Sequence, residues 1–242
     1  TAIIAAARTN TNLDVLTLMS FSYSNSIAEE AEAEPTTFKN TIHAMQLCET
    51  GSSLTNCVNP ATIGSSTDGT TMDLSVRGSA NSFGNAGLIP VGITYTHGQV
   101  ILSRSFTMAG SVTTSAATCK TGGTAGTKTA GGATGNAGAV AEQVIMATNG
   151  TNYPTTMNST SAIIDGTDAD PGTVLAADDL LKFRWKLSSP FEVTSGQIPT
   201  MTMTFDLSGA LTFNDGDSSG NKGKCDGNDF HPGSPVITNT FK

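Results

Sequence analysis

Charge is scarce in this sequence: Lys and Arg together number 12 in 242 residues, and only 13% of residues are charged. With 20 Asp and Glu the net charge is −8, which argues against nucleic acid or an anionic membrane surface as a partner, since both are held by basic patches. Aromatics are few as well, at 6% with one Trp, so a broad stacking platform is poorly supplied. No apolar run reaches the ~20 residues that span a bilayer as a helix. The four cysteines lack the paired C-x-x-C spacing of a zinc site.

What is plentiful is Thr, Ser, Asn and Gly, with 26 glycines. Thr suits pleated surfaces, and Gly, Asn and Ser fill turns, so the composition predicts many strands joined by loops. An apolar fraction of 37% suffices for a core.

Periodicity places the strands. The stretch Val91–Met108 alternates Val91, Ile93, Tyr95 and His97 with small or polar residues, and Gly98-Gln99 fits a two-residue hairpin turn before a β-branched return strand. Further strands are predicted at Leu13–Tyr23, Phe38–Leu47, Val58–Thr62, Met72–Val76, Thr200–Phe213 and Val236–Phe241. In Lys182–Leu187, Phe183, Trp185 and Leu187 alternate with Lys182, Arg184 and Lys186, a strand with an apolar face and a charged one. Val140–Thr148 fits a strand or a short helix. Ser26 can cap a short helix over Ile27–Glu34, which Pro35 ends; its run of Glu reads as a solvated face. The fold class expected is all-β, a β-sandwich of immunoglobulin or jelly-roll type with long loops and one or two short helices. Residues 118–138, with almost nothing to bury, read as a long Gly-rich surface loop on a single domain spanning 13–242.

Four cysteines permit three pairings, of which we favour Cys48–Cys57 around a short loop and the long-range Cys119–Cys225. Disulfides require an oxidising compartment; four reduced thiols in the cytosol are the competing reading. The chain begins at Thr1 rather than Met, from which we expect export through a removed leader to the cell surface or medium.

The candidate sites are few. Gly216-Asp217-Ser218-Ser219-Gly220 resembles the nucleophile motif of chymotrypsin-like serine proteases, which would make Ser218 the nucleophile. The family's His-Cys pair is not matched, because His43 is separated from Cys48 by four residues, so no catalytic residue is assigned. Asp215, Asp217, Asp226 and Asp229 supply oxygens on one loop and are the candidates for calcium, although the EF-hand order is missing; Asp165, Asp168 and Asp170 form a second acidic turn. No other cofactor is implied. Asn149 and Asn158 begin N-x-[ST] acceptor patterns.

The amino terminus is the remaining feature. Ala2, Ile3, Ile4, Ala5, Ala6 and Ala7 form a small, apolar, β-branched run that turns polar at once, and residues 1–12 read either as an ordinary first strand or as an extension suited to a narrow groove. With its Thr, Gly, Ala and Ser content and few Lys, the chain resembles the secreted β-sandwich subunits of pili and matrix fibres that polymerise by donating a strand. The segments Thr37–Cys48 and Pro90–His97 are similar in pattern to bacterial surface lipoprotein domains. The first resemblance implies a homopolymer in which Ala2 to Ala7 enter a neighbouring copy. The second functional class is a secreted glycan-binding or adhesion module, using the Asp-rich loops with Tyr95, Tyr153 or Trp185.

Overall fold

A computed structural model of the chain describes residues 3–5, 29–76, 80–114, 117–127, 131–147, 155–158, 160–165, 180–196, 199–215, 225 and 230–241. They are almost wholly β, in antiparallel sheets that stack as a sandwich-like fold. In chain order the strands are β1 (Ile3–Ala5), β2 (Glu29–Ala33), β3 (Thr37–Glu49), β4 (Ala61–Asp73), β5 (Ala80–Ser82) and β6 (Thr94–Ala109). There follow β7 (Ser111–Thr113), β8 (Thr118–Lys120), β9 (Ala125–Thr127), β10 (Gly131–Ala133), β11 (Gln143–Met146) and β12 (Thr155–Asn158). The last are β13 (Ser161–Asp165), β14 (Leu180–Glu192), β15 (Met201–Asp206), β16 (Leu211–Asp215), β17 (Phe230–Pro232) and β18 (Val236–Phe241). The helical content among the described residues is one 3-10 turn at Ala86–Leu88.

The large sheet is organised about β6. One edge of β6 carries β3 and, beyond it, β4; the other carries β14 along its first half and β11 along its second. A smaller sheet in the order β18-β15-β1-β5 lies over it. The core between them holds Phe38, Met45, Leu47, Trp185, Met203 and Phe205, and Phe191 stacks on Phe241 with ring centroids 3.8 Å apart. Burying such side chains stabilises each by roughly 1.5–3 kcal/mol.

Several sequence expectations are corrected. Gly98-Gln99 is no turn: β6 runs straight through it as one 16-residue strand, with Gly98 opposite both Leu47 and Trp185. The reason is packing, because a Cβ at Gly98 would collide with the Trp185 indole, so the glycine admits a ring instead of reversing the chain. The helix expected over Ile27–Glu34 is replaced, where described, by β2, antiparallel to β16. Its Glu-Ala alternation is a period of two that turns Ala31 and Ala33 toward the core. The strands expected at Val58–Thr62 and Met72–Val76 are replaced by one strand, β4, which takes in only Ala61–Thr62 of the first and Met72–Asp73 of the second and carries, at residues 66–69, a bulge opposite His43 in which Gly69 takes φ +75°.

The Gly-rich tract is not loop throughout. It contains β8, β9 and β10, and Cys119, Thr121 and Ala133 are fully buried. Side chains replace the missing strand ladder: Asn136 Nδ2 donates to Lys120 O (2.9 Å) and Thr121 O (2.6 Å), and Gln143 Nε2 donates to Thr124 O (2.9 Å). Gly123 is needed because a side chain there would strike the Thr134 carbonyl. Val140–Thr148 contributes β11, a strand. The expected strand at Leu13–Tyr23 lies outside the described residues.

Both favoured disulfides are formed, Cys48–Cys57 and Cys119–Cys225. Among the described residues no helix is long and apolar enough to cross a membrane.

Candidate functional site

The amino-terminal strand occupies a distinctive place. β1 pairs parallel with β15 (Ile3 with Thr202, Ile4 with Met203) and antiparallel with β5 (Ile3 with Ser82, Ile4 with Asn81, Ala5 with Ala80). Among the described residues β15 and β5 do not pair with each other, and the small sheet is continuous only through β1, a three-residue strand that bridges them. Of the run named from sequence, Ile3, Ile4 and Ala5 lie in this slot; Ala2, Ala6 and Ala7 lie outside the described residues. The mixed parallel and antiparallel pairing places the strand inside a sheet of its own chain.

The opposite face of the large sheet carries a feature that the sequence did not announce. Arg184 on β14 donates through Nε to Gln99 Oε1 on β6 (2.9 Å), and its Nη2 reaches the same oxygen. Gln99 Nε2 donates to Gln46 Oε1 on β3 (2.7 Å), and Gln46 Nε2 donates to Thr62 Oγ1 on β4 (3.1 Å). The four residues stand in register across four neighbouring strands, Arg184 opposite Gln99, Gln99 opposite Gln46 and Gln46 opposite Thr62. Arg184, Gln99 and Gln46 are all buried, which makes each bond in the row costly to break. Arg184 Nη1 also donates to Leu54 O at 3.1 Å, holding the loop closed by Cys48–Cys57 over the end of the row. Lys182 is buried on this face too. The alternation at Lys182–Leu187 was therefore correct in period but not in environment. The signal that both faces are covered is Leu180-Leu181, apolar on both parities and both buried.

His97 stands beside this row, opposite Lys186 on one side and Cys48 on the other, with Nδ1 3.0 Å from Thr96 Oγ1. Burial, and then the positive charges of Arg184 and Lys186, hold its pKa below the ordinary value. Tyr95 is fully buried, and burial followed by the Glu49 charge raises its phenol.

The other sequence candidates are not brought together. His43 Nε2 lies 3.0 Å from Ser103 Oγ, a bond across β3 and β6; Ser218 lies outside the described residues. Asp215 ends β16 with its backbone opposite Glu29, while Asp217, Asp226 and Asp229 lie outside the described residues, as do Asp168 and Asp170. Among the described residues no group of three or more His, Cys, Asp or Glu could hold a metal ion. Trp185 and Tyr95 face the interior and offer no platform to a glycan; Tyr153 lies outside the described residues.

Comparison with known proteins gives no matching family model, no matching characterised protein and no matching solved structure. A functional reading therefore rests on the slot and its strand.

Proposed function

We propose that this chain is the structural subunit of an extracellular filament, in which the amino-terminal strand of one copy completes the small sheet of the next. The observation that carries the reading is the position of β1, a three-residue strand far in sequence from β15 that, among the described residues, alone joins β15 to β5. Residues 6–28 separate it from β2, a length of chain that extends up to roughly 75 Å. The strand and its slot are therefore covalently joined but not adjacent, and the same backbone hydrogen bonds form whether the strand comes from its own chain or from another. A donated strand is a head-to-tail contact between different surfaces, which propagates as an open filament unless a rotation closes it into a ring. The disulfides suit an oxidising exterior.

Strand and slot on one chain compete with strand and slot on two. Because the contacts are the same, the balance is set by the effective concentration of the chain's own strand against the concentration of neighbouring subunits. Exchange wins when subunits are delivered at high local density.

The test pairs microscopy with a covalent trap. Electron microscopy of the native protein should give regular filaments, and deletion of residues 1–12 should leave folded monomers. Ile4 and Asn81 are direct cross-strand neighbours, so Ile4→Cys with Asn81→Cys should yield a ladder of disulfide-linked multimers from filaments. Filaments that persist after the deletion, or a trap that closes only within single chains, would sink the reading.

A further inference from the structure

A second row lies one step along the large sheet from the first. Lys186 on β14 stands opposite His97 on β6, and His97 stands opposite Cys48 on β3, in unbroken register with Arg184, Gln99 and Gln46. Residues two apart on a strand share a face, so Cys48 lies on the same side of the sheet as Gln46, His97 and Arg184.

The two disulfides therefore have different surroundings. Cys119 belongs to the apolar core, opposite Val112 and with Cys225 packed against that core. Cys48 is equally buried, but its cross-strand neighbour is an imidazole, and the charges beyond it are those of Arg184 and Lys186. Burial, and after it these two charges, lower the pKa of His97. A positive field that opposes a proton on the imidazole also favours a thiolate over a thiol directly across the strand pair. The nearest acid in sequence, Glu49, lies beyond the break in register after Cys48 and accepts from Asn59 Nδ2 at 3.0 Å.

Access to this disulfide is one-sided. Cys48 is fully buried, whereas Cys57 is half-buried in a loop whose residues Gly51, Ser53, Thr55 and Asn56 are exposed. A thiol arriving from solvent meets the Cys57 sulfur, and Cys48 is then the leaving group.

We propose that Cys48–Cys57 is a thiol-exchange site, attacked at Cys57 by small thiols from solvent. The thiolate of the small thiol bonds to Cys57 Sγ as the bond between the two cysteines breaks, and the electron pair of that bond leaves on Cys48 as a thiolate beside His97. A second small thiol attacks the first one's sulfur in the adduct, which releases Cys57 as a thiolate and the small thiol as its own disulfide. Each protein thiolate that takes up a proton takes one that an incoming thiol gave up. Residues 49–57 are then held over the polar row by hydrogen bonds alone, among them Arg184 Nη1 to Leu54 O (3.1 Å) and Glu49 N to Val58 O (2.9 Å). The disulfide is thus a reversible clasp on that loop, and it is independent of the strand slot and of the filament reading.

Reduced glutathione is the probe. The purified full-length chain, with both disulfides formed, is mixed with it at neutral pH, quenched at intervals with N-ethylmaleimide in acidic denaturant and read by peptide mass spectrometry. Glutathione should appear on Cys57 with Cys48 alkylated, and Cys48–Cys57 should open about tenfold faster than Cys119–Cys225, whose leaving thiolate has an apolar setting. The Cys119–Cys225 rate in the same sample reports any unfolding. Lys186→Gln removes a charge from an exposed side chain, and should slow the opening of Cys48–Cys57 several-fold while the thermal midpoint and the Cys119–Cys225 rate stay unchanged. A disulfide with only a structural role would show neither the choice of sulfur nor the dependence on charge. The proposal is overturned if glutathione is found on Cys48, if the two disulfides open together or neither opens, or if Lys186→Gln leaves the rate as it was.

Discussion

Gly98 and Trp185 face each other across β6 and β14, and the Trp185 indole fills the space that a side chain at position 98 would need. Trp185 is 1% exposed, so it has no room to retreat. Gly98→Ala should therefore destabilise the chain by about 1–3 kcal/mol through overpacking, in spite of the better strand propensity of alanine. Urea unfolding is the measurement. A variant as stable as the wild type would mean that the ring and the glycine do not share that space.

The polar row predicts a non-additive pair. Gln99→Leu removes the acceptor of Arg184 and the donor to Gln46 together, and should cost on the order of 3 kcal/mol because buried groups lose partners. Adding Arg184→Met should cost less than the sum of the two single changes, since no guanidinium then remains to be satisfied. Additive effects in a double-mutant cycle would show that the row is not coupled.

His97 gives the row a pH dependence. Its folded pKa lies below the unfolded value of about 6.5, so between those two values the unfolded chain binds a proton that the folded chain refuses. Above pH 6.5 both states are neutral at this residue and its contribution is flat. Stability should fall as the pH drops below about 6.5 and level off under the folded pKa. The groups facing the ring are Arg184 and Lys186 on β14 and the Cys48 disulfide on β3. His97→Gln should flatten that part of the profile, as read from unfolding midpoints at stepped pH; an unchanged slope would place the dependence elsewhere.

The two disulfides should differ in worth. Cys119–Cys225 closes a separation of 106 residues and Cys48–Cys57 one of 9. In the chain-entropy account these correspond to about 4.7 and about 2.5 kcal/mol. Replacing Cys119 and Cys225 together by Ser should lower the denaturant midpoint more than replacing Cys48 and Cys57. The reverse order would mean that the short loop, through Leu54 and Arg184, matters more to the native state than ring size does.

How far the sequence could be read follows from what each residue meets. A strand with one clean apolar parity, such as Met201–Asp206, where Met201, Met203 and Phe205 are buried and Asp206 is exposed, was legible because the period of two survives any partner. The hairpin at Gly98 was misread because glycine in a strand and glycine in a turn look alike until the partner ring is known. Lys182 and Arg184 were assigned to a charged face because a charged parity normally meets solvent; Arg184 is instead held by Gln99 and by a loop, contributed from 85 and more residues away. The Gly-rich tract was assigned to a surface loop because its order comes from side-chain staples at Asn136 and Gln143, not from periodicity. At β1, Ile3 and Ile4 stood out as an apolar run, but their partners in β5 and β15 left no mark on it.

The pairing of Ile3 with Thr202 has a bearing on biosynthesis. β1 cannot find its place until β15 has been made, because one side of its slot is a strand 199 positions further along, Ile3 pairing with Thr202. Contacts of such sequence separation form late in folding. Throughout that delay one side of the slot is missing and β1 lacks a partner there, which on the proposed filament reading is the interval in which a neighbouring molecule can supply the strand instead.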